Sequence, residues 1–236
     1  MRVLGLTTAA GLDAVTMAVL KTDGREIRGF GPAGAAALPT ATAEALLAAA
    51  EGFLAAHGLG WSDLDLIGLS GRLVDAAWLA RRTGAPVAHD FAAGGEGTPL
   101  IAVYHRARAR ASGLERPLAV LDAAHITHVA ANGLLTALDA PGDTSEAVAL
   151  GLARCEAVRS LVVCGDGRRD PQRVAALKAR LAIPVLTAEE AGWRGDAIEA
   201  EAIAYLAVRT WNGLPIAFPG TTGVESPMTG GRIARP

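Results

Sequence analysis

The sequence predicts an α/β protein assembled from two copies of one unit, each made of three antiparallel strands followed by alternating helices and strands. Two observations carry that expectation. A group of short apolar runs broken by hairpin signals occurs twice, once around Asp23-Gly24 and again around Asn132-Gly133, and each time it gives way to segments with helical spacing. The 236 residues, 51% hydrophobic and 19% charged, are enough for two small cores. We place the units at residues 1–115 and 116–236.

The elements follow in order. Leu4 to Leu6, Leu12 to Leu20 and Glu26 to Phe30 read as a three-stranded meander, turning at Lys21-Thr22-Asp23-Gly24. Thr40 or Thr42 can cap a helix over Glu44 to Ala56, where Leu46, Leu47, Phe53 and Leu54 recur at helical spacing. Leu64 to Leu69 reads as a buried strand, Leu73 to Arg82 as a helix stopped by Thr83-Gly84, and Pro86 to Ala88 as a short strand reaching Asp90. A glycine-rich loop, Ala92 to Gly97, leads into a helix over Thr98 to Ala111 with Pro99 in its first turn. The order then restarts. Leu118 to Leu121, Ile126 to Ala131 and Leu134 to Leu138 are strands, the last two joined by Asn132-Gly133. Helix Thr144 to Val158, strand Leu161 to Val163, loop Gly165-Asp166-Gly167, helix Pro171 to Leu181, strand Pro184 to Leu186 and helix Asp196 to Thr210 complete the second unit.

Composition removes several classes of function. A net charge of −2 argues against a nucleic-acid-coating role, and Arg106, Arg108 and Arg110, spread along one helix, read as a solvated face. Charged residues break every apolar stretch short of the roughly 18 residues a membrane helix needs. The first residues carry no secretory pattern and read as the opening strand of a cytoplasmic protein. Cys155 and Cys164, in a helix and a strand and without metal-ligand spacing, read as core thiols; the four tryptophans read as packing residues.

The duplicated β-β-β-α-β-α-β order is similar to the ribonuclease-H-like double domain of the actin and hexokinase superfamily, the actin-like ATPase and sugar-kinase fold. Mixed five-stranded sheets flanked by helices are expected, with a nucleotide clamped between the halves. Motifs narrow the resemblance to the anhydro-N-acetylmuramic acid kinases of bacterial cell-wall recycling. Val162 to Pro171, VVCGDGRRDP, resembles that family's VCGGGxxNP segment, and Glu199 to Ala207, EAEAIAYLA, its EAxAFAWLA helix. Thr83 to Val87 with Asp90 to Leu100, followed by Tyr104-His105, is similar to TGxPVVxDF…AAGGQGAPL…FH, and Gly5 to Ala14 to GLMSGTSLDG. Three blocks of the family pattern are missing, one of them the short RxxD insert after Phe91 that holds the family's catalytic Asp.

The resemblance implies a sugar kinase using ATP and Mg²⁺, and it assigns residues. Thr7 and Thr8, in the first hairpin, would donate to the γ-phosphate; Asp13, on the second strand, would organise the metal, a turn-capping role being the alternative. Asp122 opens the second phosphate hairpin, where DAAHITH stands for NIGGIAN; a carboxylate there repels polyphosphate unless Mg²⁺ intervenes. Asp122, His125 and His128 are open to a metal or acid–base cluster, or to plain turn residues, and the two histidines fall on opposite faces of the strand. Gly165 and Gly167 are spaced to cup the adenosine. Asp90, before the Gly94-Gly95 turn, is the surviving candidate base, and Gly94, Gly95 and Glu199 would contact the sugar. Chance or capping is the alternative for Asp90, and complementing the helix dipole from the first turn is the alternative for Glu199. The second reading is a pseudokinase, retained as a binding module or homodimer.

Overall fold

The computed structural model describes residues 1–8, 11–91, 100–123, 125–140, 142 and 144–236. In chain order its first half holds β1 (Arg2–Thr8), β2 (Ala14–Thr22), β3 (Ile27–Ala37), α1 (Ala43–Ala56), β4 (Leu66–Ser70), α2 (Ala76–Thr83), β5 (Val87–His89) and α3 (Ala102–Ala111). The second half holds β6 (Leu118–Asp122), β7 (His125–Val129), β8 (Leu135–Asp139), α4 (Ser145–Leu152), β9 (Leu161–Val163), α5 (Pro171–Arg180), β10 (Val185–Thr187), α6 (Ile198–Trp211), α7 (Pro219–Thr222) and β11 (Arg232–Ala234). Among the described residues no helix is long and apolar enough to cross a membrane.

The duplication is visible in the strand order. One sheet runs β11-β5-β4-β1-β2-β3 and the other β10-β9-β6-β7-β8, so removing β11 leaves two sheets of the same order. In each, the first three strands pair antiparallel and the fourth and fifth join the first in parallel. The first sheet is therefore six-stranded, against an expected five, because β11 adds antiparallel to β5. Two compact units result, residues 1–94, 196–217 and 227–236, and residues 95–195 and 218–226. This division differs from one at residue 115. The helix that follows β5, α3, belongs to the second unit, and α6, which follows β10, belongs to the first.

In the first unit the strand alternation separates two faces. Leu4 and Leu6 of β1 join Val15, Met17, Ile67 and Val87 in a core covered by α1 and α2. Gly5 faces the other way, under α6. Thr42 is the residue that caps α1, accepting from the Ala45 N–H at 3.2 Å. Asp75 caps α2 by accepting from the Trp78 N–H at 2.7 Å, which starts that helix three residues later than Leu73. The third strand runs seven residues past Phe30. Pro32 is tolerated because β3 is an edge strand, and the register shifts opposite Val19.

In the second unit Leu121, Ile126, Leu161, Val163 and Val185 form the core with Val148 and Leu152 of α4 and Leu177 of α5. Thr144 caps α4, which ends at Leu152, because the Arg154 and Cys155 N–H groups turn back to the Gly151 and Leu152 carbonyls and close it tightly. Cys155 thus lies after the helix and not in it. Arg106 and Arg108 are also not a solvated face: Arg106 donates to the Gly133 carbonyl at 3.1 Å, and Arg108, buried, donates to the Gly192 carbonyl at 2.7 Å over the Trp193 ring.

Candidate active site

Parallel strands end together, and in open α/β sheets ligands are bound at that carboxyl end. In the first unit β1, β4 and β5 bring Thr7 and Thr8, Ser70 and Gly71, and Asp90 to one end of the sheet. Thr7 is buried, paired with Thr16 and Ser70; Thr8 is half-buried beside Gly71. Leu12, whose φ is 57°, leads into Asp13, which is an exposed residue of the bend preceding β2 and not part of the strand. Its carboxylate lies against Gly11, and its carbonyl accepts from the Leu38 N–H at 2.7 Å.

Glu199 reaches the same end by a different route. The C-terminal Arg209 of α6 donates to the Gly24 carbonyl at 2.6 Å, in the β2–β3 turn beside the start of β1. The helix therefore runs against β1, and its first turn, with Glu199 exposed, lies toward the carboxyl end of that strand. Asp90 follows β5, half-exposed, with φ 52° and its Oδ2 3.4 Å from the Nε of Arg232. Gly94 and Gly95 lie outside the described residues.

In the second unit β6, β9 and β10 gather Asp122, Gly165 and Thr187 in the same way. Here the space is filled from within. A side chain at Gly165 would collide with the Asp122 carboxylate, and one at Gly167 would come within 2.9 Å of the Arg173 guanidinium. Arg173 also donates to the Ala123 carbonyl of the hairpin at 2.9 Å. Residues Asp166–Arg169 form a turn of 3₁₀ helix, where Arg168, buried, donates to Glu189 at 2.9 Å and to the Gly165 carbonyl at 2.8 Å. Burial raises the Asp122 carboxyl above its ordinary range, against the pull of His125 and Arg168.

The hairpin itself is not a cluster of two histidines. His125 pairs across to Asp139 of β8, Nδ1 to Oδ1 at 2.5 Å, while His128 is buried on the opposite face. Among the described residues no three His, Cys, Asp or Glu side chains come together as a metal site. Arg173, Asp139 and Arg232 were missed in the sequence; only Arg173, third in a helix after an Asp-Pro cap, had a local signal.

Comparison with known proteins identifies the lineage. A kinase of Phenylobacterium zucineum named anhydro-N-acetylmuramic acid kinase is 39% identical over 368 aligned positions covering the whole of both chains. The chain belongs to the anhydro-N-acetylmuramic acid kinase family. Its family model matches residues 135–236, and the relative from Caulobacter vibrioides is 38% identical over 365 positions, covering 99% of this chain and 98% of its own. Alignments of that length against 236 residues mean that these kinases carry internal segments with no counterpart here.

Solved structures agree on the fold. Component A of the (R)-2-hydroxyglutaryl-CoA dehydratase of Acidaminococcus fermentans superposes with a TM-score of 0.52 at 12% identity, covering 89% of this chain and 98% of its own. The activator of the 2-hydroxyisocaproyl-CoA dehydratase of Clostridium difficile, solved with ADPNP bound, gives 0.52 at 11% identity, covering 88% and 94%. This member of the kinase family is built on duplicated ribonuclease-H-like units, the actin-like ATPase fold.

Proposed function

We propose that the protein phosphorylates a cell-wall-derived anhydro amino sugar with ATP, as the name of its relatives describes, and that it works in the cytoplasm where ATP and recycled sugar meet. The observation that supports this most is the convergence of Thr7, Thr8, Asp13, Asp90 and Glu199 at one end of one sheet. A sugar hydroxyl attacks the γ-phosphorus; Asp90 accepts its proton, the new O–P bond forms, and the bond to the β-phosphate oxygen breaks to release ADP. Thr7 and Thr8 donate toward the γ-phosphate, and Glu199 accepts hydrogen bonds from the sugar's other hydroxyls. Asp13, a single exposed carboxylate, would hold Mg²⁺ beside the phosphates, and the ion would supply neutralisation of their charge.

A second reading, a pseudokinase, draws on the other unit. The space above Gly165 and Gly167 is taken by Asp122 and Arg173, where a nucleotide would have to enter. Thermal unfolding with Mg·ATP separates the two. A kinase gains stability as nucleotide saturates it, an upward shift of about 5 °C or more at a large excess over Kd; an unmoved midpoint at millimolar ATP removes the kinase reading.

A further inference from the structure

The end of β5 is met, residue by residue, by the C-terminal strand. His89 is the register partner of Arg232, Asp90 is the ion-pair partner of Arg232, and Phe91, buried, lies 3.2 Å from where a Gly231 side chain would begin. Asp90 takes a left-handed φ of 52° between a residue still in the ladder and one turned into the core. Aspartate is one of the few residues with a side chain that adopt this conformation singly.

The segment that carries Arg232 is fastened along its length. Met228 exchanges backbone hydrogen bonds with Ala217, at 3.0 and 3.1 Å. Thr210 donates its hydroxyl to the Gly230 carbonyl at 2.8 Å, and the Arg235 guanidinium stacks 5.1 Å from the centre of the Trp211 ring. A side chain at Gly231 would also strike the Thr210 hydroxyl, so the strap lies close against α6. The ion pair at its end contributes little to stability, because the Arg232 side chain is 77% exposed and that of Asp90 49%.

We propose that Arg232 is a positioning residue for Asp90: the C-terminal strap holds the guanidinium against the carboxylate so that the base meets the sugar hydroxyl in one orientation. The inference rests on Asp90 being the base, as proposed above. A misdirected general base loses part of a contribution of roughly 10²–10⁴-fold. Arg232→Gln is therefore expected to lower kcat about tenfold while leaving the KM for anhydro-N-acetylmuramic acid and the thermal midpoint unchanged, and Arg232→Lys to recover most of the loss. An Arg232→Gln enzyme with wild-type kcat, beside an inactive Asp90→Asn enzyme, overturns the positioning role alone. So does a fall in midpoint and a rise in KM that track the fall in kcat. Full activity in Asp90→Asn, or no phosphorylation by the wild-type protein, overturns the reading beneath it.

Discussion

Gly5 of β1 lies directly beneath the backbone of α6, and the Ala200 carbonyl occupies the place where a Gly5 side chain would begin. Its register partner Gly68 on β4 stands in the same relation to the Ile203 carbonyl, at 2.6 Å. Two facing glycines let the helix settle onto the sheet, and the helix brings Glu199 with it. Gly5→Ala forces backbone away from backbone, which side-chain repacking cannot absorb. A loss of about 3 kcal/mol, the upper part of the usual overpacking range, is expected in urea unfolding, together with a raised KM for the sugar. Wild-type stability in this variant would mean that α6 is not seated on Gly5.

The second hairpin carries the opposite kind of misfit. Ala123 has φ 51°, where a methyl side chain is disfavoured by about 1–2 kcal/mol. Ala123→Gly removes that strain and gives back part of it as unfolded-chain entropy. A net gain of about 0.5–1 kcal/mol should appear as a higher denaturant midpoint with an unchanged slope. A loss would place the strain elsewhere.

The repeat, the order of elements along the chain and most helix starts were legible, because hydrophobic period and a capping residue such as Thr42 are local signals. Register was not. Read as a two-residue turn, Asn132-Gly133 pairs 131 with 134 and puts His125 opposite Ala140. The chain instead pairs Val129 with Leu135, and the Ala130 N–H donates to the Leu134 carbonyl at 2.9 Å, which leaves a three-residue loop ending in left-handed Gly133, so His125 meets Asp139. Arg232 was invisible for a different reason. A three-residue strand has no period to detect, and its partner on β5 is more than 140 residues away in sequence.

His105 ties acid sensitivity to the second core. It is fully buried, its Nδ1 3.1 Å from the Thr127 hydroxyl and its ring stacked on Trp193, and burial pulls its pKa down to about 3. The unfolded chain takes up the proton near 6.5, so between 6.5 and 3 it binds one proton more than the folded protein. Stability from this residue is complete above pH 6.5 and declines below it, by about 1.4 kcal/mol per unit. The difference in unfolding free energy between wild type and His105→Gln should therefore shrink steadily from pH 6.5 to pH 4. A constant difference over that interval would show that His105 takes up its proton alike in the folded and unfolded states.

Asp122 tests the nucleotide reading at the residue that most opposes it. It stands where the family resemblance places an asparagine, its carboxylate lies over Gly165, and a negative charge a few ångströms from a polyphosphate costs on the order of 1–3 kcal/mol at the effective dielectric of a protein surface. Asp122→Asn removes the charge and keeps the shape, so ATP should bind about tenfold more tightly by calorimetry at pH 8. The sign of the pH dependence follows from burial, which raises this carboxyl above its ordinary value. As pH falls the wild-type side chain takes up its proton sooner than an exposed aspartate, the repulsion disappears, and the advantage of Asp122→Asn should narrow. Equal affinities for the two proteins at pH 8 would mean that the phosphates do not approach this hairpin, and that any kinase activity is organised by Thr7, Thr8 and Asp90 without it.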